Sequence, residues 1–203
     1  MSEAEQELKR LLRQPEPSPQ AIRELLDGLD LRGRIEAVRS LQGRGLQRAL
    51  WRAVESNARV SVADLVPPDY PSERPVVFHG KNSLPAFTNF EKICFRPEGG
   101  PPDRLWGYNE TPIKGVIGPG YYVLRNTPEG RWGGCAFDYT QLPERGLAGW
   151  PTIRPNSAGL SRFIYNGTVD YMRQVAADVF IGQATRGGGE LDTYFVVARE
   201  LRD

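Results

Sequence analysis

Three neighbouring segments decide the fold: Trp106-Gly107-Tyr108-Asn109-Glu110, then Gly115-Val116-Ile117-Gly118-Pro119-Gly120-Tyr121-Tyr122-Val123-Leu124-Arg125, then Arg131-Trp132-Gly133-Gly134-Cys135-Ala136-Phe137-Asp138-Tyr139-Thr140. Aromatic and β-branched residues stand in short runs, and Gly and Pro separate the runs. Side chains of that kind suit a pleated, half-buried surface, and glycines fall where a sheet must bend. The expected product is an antiparallel β-barrel or strongly coiled sheet whose concave face can hold an apolar ligand.

Working outward, the pattern continues on both sides. Strands are expected at Val76–His79, Glu91–Phe95, Arg104–Asn109, Val116–Arg125, Arg131–Tyr139, Phe163–Gly167, Val179–Arg186 and Tyr194–Glu200. Thr127-Pro128-Glu129-Gly130 and Arg186-Gly187-Gly188-Gly189-Glu190 have the composition of hairpin turns. About eight strands are compatible with closure around one small ligand. The segment Thr168–Ala177 also fits a helix, because Val169, Met172, Arg173 and Ala176 recur at a 3.6-residue period. The long Leu142–Ser161 connection reads either as a lid or as an ordered cover over a sheet edge.

Before residue 67 the period is helical. Ser2 and Glu5 have capping-box spacing ahead of Leu8, Leu11 and Leu12. Ser18-Pro19 opens a second helix carrying Ile22, Leu25, Leu26 and Leu29. A third runs from about Leu31 to Leu41 and is broken by Gly43 and Gly45. A fourth runs from about Leu46 to Ser56, with Asn57 as its C-terminal cap. Helices this short are marginal alone and must pack on something. The fold class is therefore α+β, with a small helical unit over residues 1–66, a Pro-rich linker over 67–75 and a barrel-like domain over 76–203.

Composition narrows the function. The 203 residues carry a net charge of +1, with 25% charged and 39% hydrophobic side chains, as expected of one sizeable core. That balance lacks the electrostatic signature of a nucleic-acid binder. One local exception exists: Arg32, Arg34, Arg39, Arg44, Arg48, Arg52 and Arg59 face only Glu36 and Glu55 within their segment. They read either as a solvated helical face or as a surface for RNA, anionic lipid or an acidic protein, and no interleaved aromatics support base stacking. The acidic start, Met-Ser-Glu-Ala-Glu-Gln, lacks an apolar core segment, and no apolar run is long enough to span a bilayer, so a cytoplasmic location with reduced Cys94 and Cys135 is expected.

His79 is the single histidine. No Cys/His metal spacing therefore arises, and any histidine-dependent triad needs His79 as its base. It reads as a general base, as an axial haem ligand, or as a strand-end histidine; neither cofactor nor metal is expected. Gly118-Pro119-Gly120 lacks the spacing of a phosphate loop and precedes a strand, so a turn is the better reading. Asp138, Tyr139, Thr140, Asn156, Tyr165, Asp170 and Tyr171, with Tyr108 and Asn109, can form a polar cluster at one mouth of the barrel or can satisfy strand ends and turns. The walls of the cavity are expected from Trp106, Tyr108, Tyr121, Tyr122, Phe137, Tyr139 and Tyr165, with Asn109 and Asp138 as polar contacts.

Gly130-Arg131-Trp132 has the Gly-x-Trp form of lipocalins, and the C-terminal two-thirds resembles a lipocalin-type barrel. Lipocalins carry the motif on the first barrel strand; here it falls mid-series, after a helical prefix, so no ligand residue is transferred. Gly118-Pro119-Gly120-Tyr121-Tyr122 together with Phe137-Asp138-Tyr139-Thr140-Gln141-Leu142-Pro143 resembles bacterial proteins and implies no mechanism. Three functions follow from the sequence. The first is non-covalent binding of a small, mostly apolar molecule in the barrel. The second is a barrel-hosted isomerase, cyclase or hydrolase using Asp138, a tyrosine such as Tyr139, and His79. The third is an interaction module that docks a protein partner through the N-terminal helices.

Overall fold

The structure, a computed structural model, describes residues 2–57, 59–85, 88–128 and 134–202. Eight strands close into an antiparallel barrel in which each pairs with its neighbours in sequence and the first pairs with the last. They are β1 (Val76–Asn82), β2 (Asn89–Phe95), β3 (Arg104–Glu110), β4 (Tyr122–Thr127), β5 (Gly134–Asp138), β6 (Thr168–Ala176), β7 (Val179–Arg186) and β8 (Gly189–Leu201). Closure leaves no free edge, the stable solution for an all-antiparallel sheet. It matches the architecture expected of a lipocalin-like barrel. The Gly130-Arg131-Trp132 tripeptide, and the second half of the expected Thr127–Gly130 turn, lie outside the described residues.

Four longer helices precede the barrel, ahead of the single-turn α5 (Val62–Leu65): α1 (Glu3–Leu12), α2 (Pro19–Asp27), α3 (Leu31–Ser40) and α4 (Arg44–Ala53). The starts of the first three are capped by their own side chains. Ser2 accepts from the Glu5 amide, Ser18 from the Ala21 amide and Asp30 from the Gly33 amide, each satisfying a donor that the helix leaves open. Leu8, Leu11, Ile22, Leu26, Val38, Leu50 and Trp51 form one buried cluster with Val175, Val179, Ile181, Val196 and Ala198 from the outer faces of β6 to β8. The apolar stripe of the helices is thus spent against the barrel wall.

The expected elements need several corrections. Gly43 stands before α4 with φ 89°, but Gly45 lies inside that helix. Asn57 does not cap it; Val54 does, and the Asn57 amide donates to the Gln174 carbonyl. Phe163–Gly167 is no strand: Ser161–Ile164 is a short helix, α7 in a count where α5 is Val62–Leu65 and α6 is Lys114–Ile117. Val116 and Ile117 belong to α6, so β4 begins only at Tyr122. Thr168–Ala176 is strand β6, not a helix. Arg186↔Gly189 pairing closes β7 and β8 through Gly187 and Gly188, both at positive φ (58° and 81°), as the Gly-rich turn required.

Inside the barrel, every second side chain faces the lumen. Phe78, Phe90, Leu105, Tyr122, Phe137, Met172, Phe180, Phe195 and Val197 form its core. Three lumen positions are glycines lying directly opposite an aromatic: Gly80↔Phe90, Gly107↔Tyr122 and Gly182↔Phe195. A Cβ added at any of the three would stand 2.2–2.5 Å from the facing ring. Rings folded flat over glycines are how eight strands enclose this many aromatics.

The two ends of the barrel differ. At one end Val60, Val62, Leu65, Val66 and Tyr70 plug the lumen. Arg96 fixes that plug by donating to the carbonyls of Val66, Pro67, Pro68 and Tyr70, and Arg199 donates to those of Asp64 and Leu65. The other end is open.

A candidate ligand cavity at the open mouth

The open end holds a cavity of about 330 Å³, within the size range of small-molecule sites (roughly 300–1,000 Å³). Most of its wall is apolar: Leu84, Phe90, Ile113, Ile117, Phe163, Ile164, Ala184, Leu191 and Phe195. Lys92, Asn109, Tyr139 and Asp170 gather at its floor, and Asn82, Thr111, Thr168 and Thr193 also line it. Lys92, Asn109 and Asp170 arrive by strand parity, and Tyr139 follows directly on β5. Phe90, Lys92 and Cys94 share the lumen face of β2, while Glu91 and Ile93 face outward; Asp170 and Met172 share the lumen face of β6.

Lys92 is 2% exposed and sits in a box of rings. Its Nζ lies 4.5–5.7 Å from the ring centres of Phe137, Phe195, Tyr139, Tyr122 and Phe90. It donates to Tyr139 Oη and, at 3.2 Å, to Asn109 Oδ1, and it faces Asp170 Oδ2 at 3.6 Å. Asn109 Nδ2 in turn donates to Tyr139 Oη and to the Gly120 carbonyl, both at 3.0 Å. Tyr165 stacks on Tyr139 with ring centres 5.2 Å apart.

Burial governs the protonation of this cluster. It lowers the Lys92 ammonium to about 8, against the opposing charge and hydrogen bond of Asp170. It raises the Asp170 carboxyl, against Lys92 and Tyr139. It raises the Tyr139 and Tyr165 phenols as well. The ring faces around Nζ also favour the cation. Burial thus draws the proton affinities of the facing amine and carboxyl toward each other.

The residues named from sequence divide by face. Asn109, Tyr139 and Tyr165 line the cavity. Tyr122 and Phe137 face the lumen below it, fully buried, with Tyr122 donating to the Ile93 carbonyl. Trp106, Tyr108 and Tyr121 lie on the outer surface beneath the 139–160 connection. There Trp150 meets Phe95 and Tyr108, Tyr121 donates to the Pro151 carbonyl, and Asn156 donates to the carbonyls of Tyr121 and Tyr139. That connection is a cover over the barrel wall.

Asp138 also faces outward. Burial alone would raise its carboxyl, but hydrogen bonds from Thr140, Arg125 and Gln141 outweigh it and hold it below the usual range. His79 is on the outer face of β1, between Glu91 of β2 (3.0 Å) and Glu200 of β8 (2.7 Å). The hydrogen bond to Glu91 raises its imidazolium, burial opposes, and Glu200 adds to the rise. Neither residue lines the cavity.

Cys94 and Cys135 are free and buried, and burial pushes the Cys94 thiol up to about 12. Among the described residues no group of three or more His, Cys, Asp or Glu is placed to hold a metal ion, and no helix is long and apolar enough to cross a membrane. The arginine face of the helices is largely paired within the chain. Arg32 pairs with Glu36, Arg34 with Asp178, Arg39 with Glu91, and Arg44 and Arg48 with Asp192. A second cleft, of about 350 Å³, lies outside the barrel between the Lys114–Pro119 turn and the Pro151–Ser161 segment. Its Ser161 hydroxyl is already committed to the Ile117 carbonyl.

Two floor residues were not singled out from sequence as ligand contacts. Asp170 belongs to the mouth cluster expected from sequence, and Lys92 to none of the expected sites. The signal for Lys92 was present: in Phe90-Glu91-Lys92-Ile93-Cys94 the lysine shares its parity with Phe and Cys, a charge on an apolar face. Comparison with family models, with curated proteins and with solved structures finds no match to the chain.

Proposed function

We propose that the barrel binds a small, mostly apolar molecule in its open mouth, with one polar group of that molecule seated against Lys92, Asn109, Tyr139 and Asp170. The observation that carries this reading is the pairing of a mostly apolar cavity with a cluster of charged and polar groups at its floor. A barrel meant only as scaffold would gain stability from apolar side chains there, since a buried ion pair roughly breaks even at best. The rim supports entry of an apolar molecule: Leu84 and Ile164 are partly open to solvent and Phe163 is 63% exposed. A cytoplasmic setting belongs to the same reading and accords with the two free thiols.

The catalytic alternative built on Asp138 and His79 loses its geometry, since both side chains leave the lumen. The docking alternative loses its surface, since the apolar faces of α1–α4 are buried on the barrel. The test is saturable binding of the neutral dye N-phenylnaphthylamine, read by fluorescence. Ala184 lies opposite Asp170 in the cavity wall. Ala184→Trp should weaken the dye about tenfold or more by filling the space. Equal binding by the variant, or a signal that never saturates in the unaltered protein, would remove the reading.

A further inference from the structure

We propose that Lys92 captures carbonyl compounds: its Nζ forms a reversible imine with an apolar aldehyde or ketone seated in the barrel mouth. This rests on the reading of the mouth as a ligand cavity and names the ligand class.

Three observations converge on it. First, the wall is mostly apolar, and the charged and polar groups gathered at its floor, Asn109, Tyr139 and Asp170, all face the same amine. Second, Asp170 Oδ2 at 3.6 Å and the Tyr139 hydroxyl stand where protons must move during carbonyl addition. Third, charge discriminates between ligand heads. A carboxylate would bring a second anion beside Asp170 into a dry site, at heavy desolvation cost. A carbonyl brings no charge, and the cation it generates inherits the existing partner and rings. Burial supports the chemistry by lowering the ammonium to about 8, which raises the share of nucleophilic amine.

The step balances without any further reagent. Asp170 takes a proton from the Lys92 ammonium. The nitrogen lone pair forms a bond to the carbonyl carbon, and the carbonyl oxygen receives the proton held by Asp170, giving a carbinolamine. A second proton, from the nitrogen by way of Asp170, converts the hydroxyl to water, and the C–O bond breaks as the C=N bond forms. The products are a protonated imine, paired with the Asp170 carboxylate, and one water molecule that leaves by the mouth.

Reductive trapping tests this. The chain contains four lysines, Lys9, Lys81, Lys92 and Lys114, so three serve as internal comparisons. The protein is incubated with octanal and sodium cyanoborohydride at neutral pH, and peptides are mapped by mass. The expected result is a gain of octanal less one oxygen atom at Lys92, roughly tenfold or more faster than at the other three, and slowed by excess 1-octanol. In the paired variant Lys92→Met/Asp170→Leu the fast labelling should vanish, with slow labelling at Lys9, Lys81 and Lys114 unchanged. If Lys9, Lys81 and Lys114 are labelled and Lys92 is not, while 1-octanol displaces the dye, the imine is wrong and the cavity stands. If neither octanal nor 1-octanol displaces the dye, the cavity reading fails and takes the imine with it. Labelling of Lys92 that 1-octanol leaves untouched would also overturn the proposal.

Discussion

The plugged end and the open mouth of the barrel are built by the same eight strands with the same alternation, yet they hold opposite contents. Toward the plug the lumen carries Val76, Cys94, Leu105, Leu124, Cys135 and Phe180, closed over by Val62, Leu65 and Val66. Toward the mouth it carries Lys92, Asn109 and Asp170 beneath a cavity. The fold requires only that lumen positions be filled or covered. A charged pair at one end is therefore a departure from what stability asks, and such departures concentrate where a protein does its work.

The two ends should respond differently to substitution. Phe180→Ala, at the plugged end, should cost roughly 3–5 kcal/mol in urea unfolding and leave dye affinity within about twofold, because it opens a cavity far from the mouth. Lys92→Met should cost about as much, roughly 3–5 kcal/mol, because it strands the Asp170 carboxylate in a dry site. Adding Asp170→Leu should recover most of that loss. A single variant as stable as its parent would show that Asp170 is not held by Lys92.

A smaller effect is expected outside the lumen. His79 ties β1 to β2 and β8 through Glu91 and Glu200, with Arg39 and Arg202 beside those carboxylates. The folded state binds the His79 proton more tightly than the unfolded chain does, so this contribution is full below the ordinary histidine value of 6.5. It fades as pH rises through the raised folded value. Glu91 is held low, chiefly by its hydrogen bond to His79, and gives the opposite slope in acid. His79→Gln should therefore remove on the order of 2 kcal/mol near pH 6 and much less near pH 9. Urea titrations at the two pH values check this, and parallel losses would contradict it. Dye binding should not change. Smallest in stability, and largest in binding, is Ala184→Trp, expected within about 1 kcal/mol of the parent because the indole enters existing space.

Much of this was legible in the sequence, and the misreadings have common causes. The barrel follows from glycine-punctuated aromatic runs, and two helix starts from Ser2 and Ser18. Strand β6 was hidden because both its faces are buried in part: Asp170 and Met172 face the lumen while Val175 packs under the helices. Apolar residues on both sides erase the two-residue period. The wall residues were harder still. In Trp106-Gly107-Tyr108-Asn109 the large rings invite assignment to the lumen, but the glycine faces inward and the rings face out. The Tyr122 ring across the ladder fills the space over Gly107. Which parity faces in is set by closure of the whole ladder, and that information is not local. Asn109, Tyr139 and Tyr165 were reached because polar and aromatic residues near strand ends point to a mouth whichever way the strand is turned.

The direct test of a working mouth on a filled barrel is a methyl NMR titration with 1-octanol. Shifts should saturate and be confined to Leu84, Ile113, Ile117, Ile164 and Leu191, with Val76, Leu105 and Leu124 unmoved. Equal shifts at the plugged end, or shifts centred on Leu26, Val38 and Leu50 beneath the helices, would place the ligand elsewhere and contradict the account.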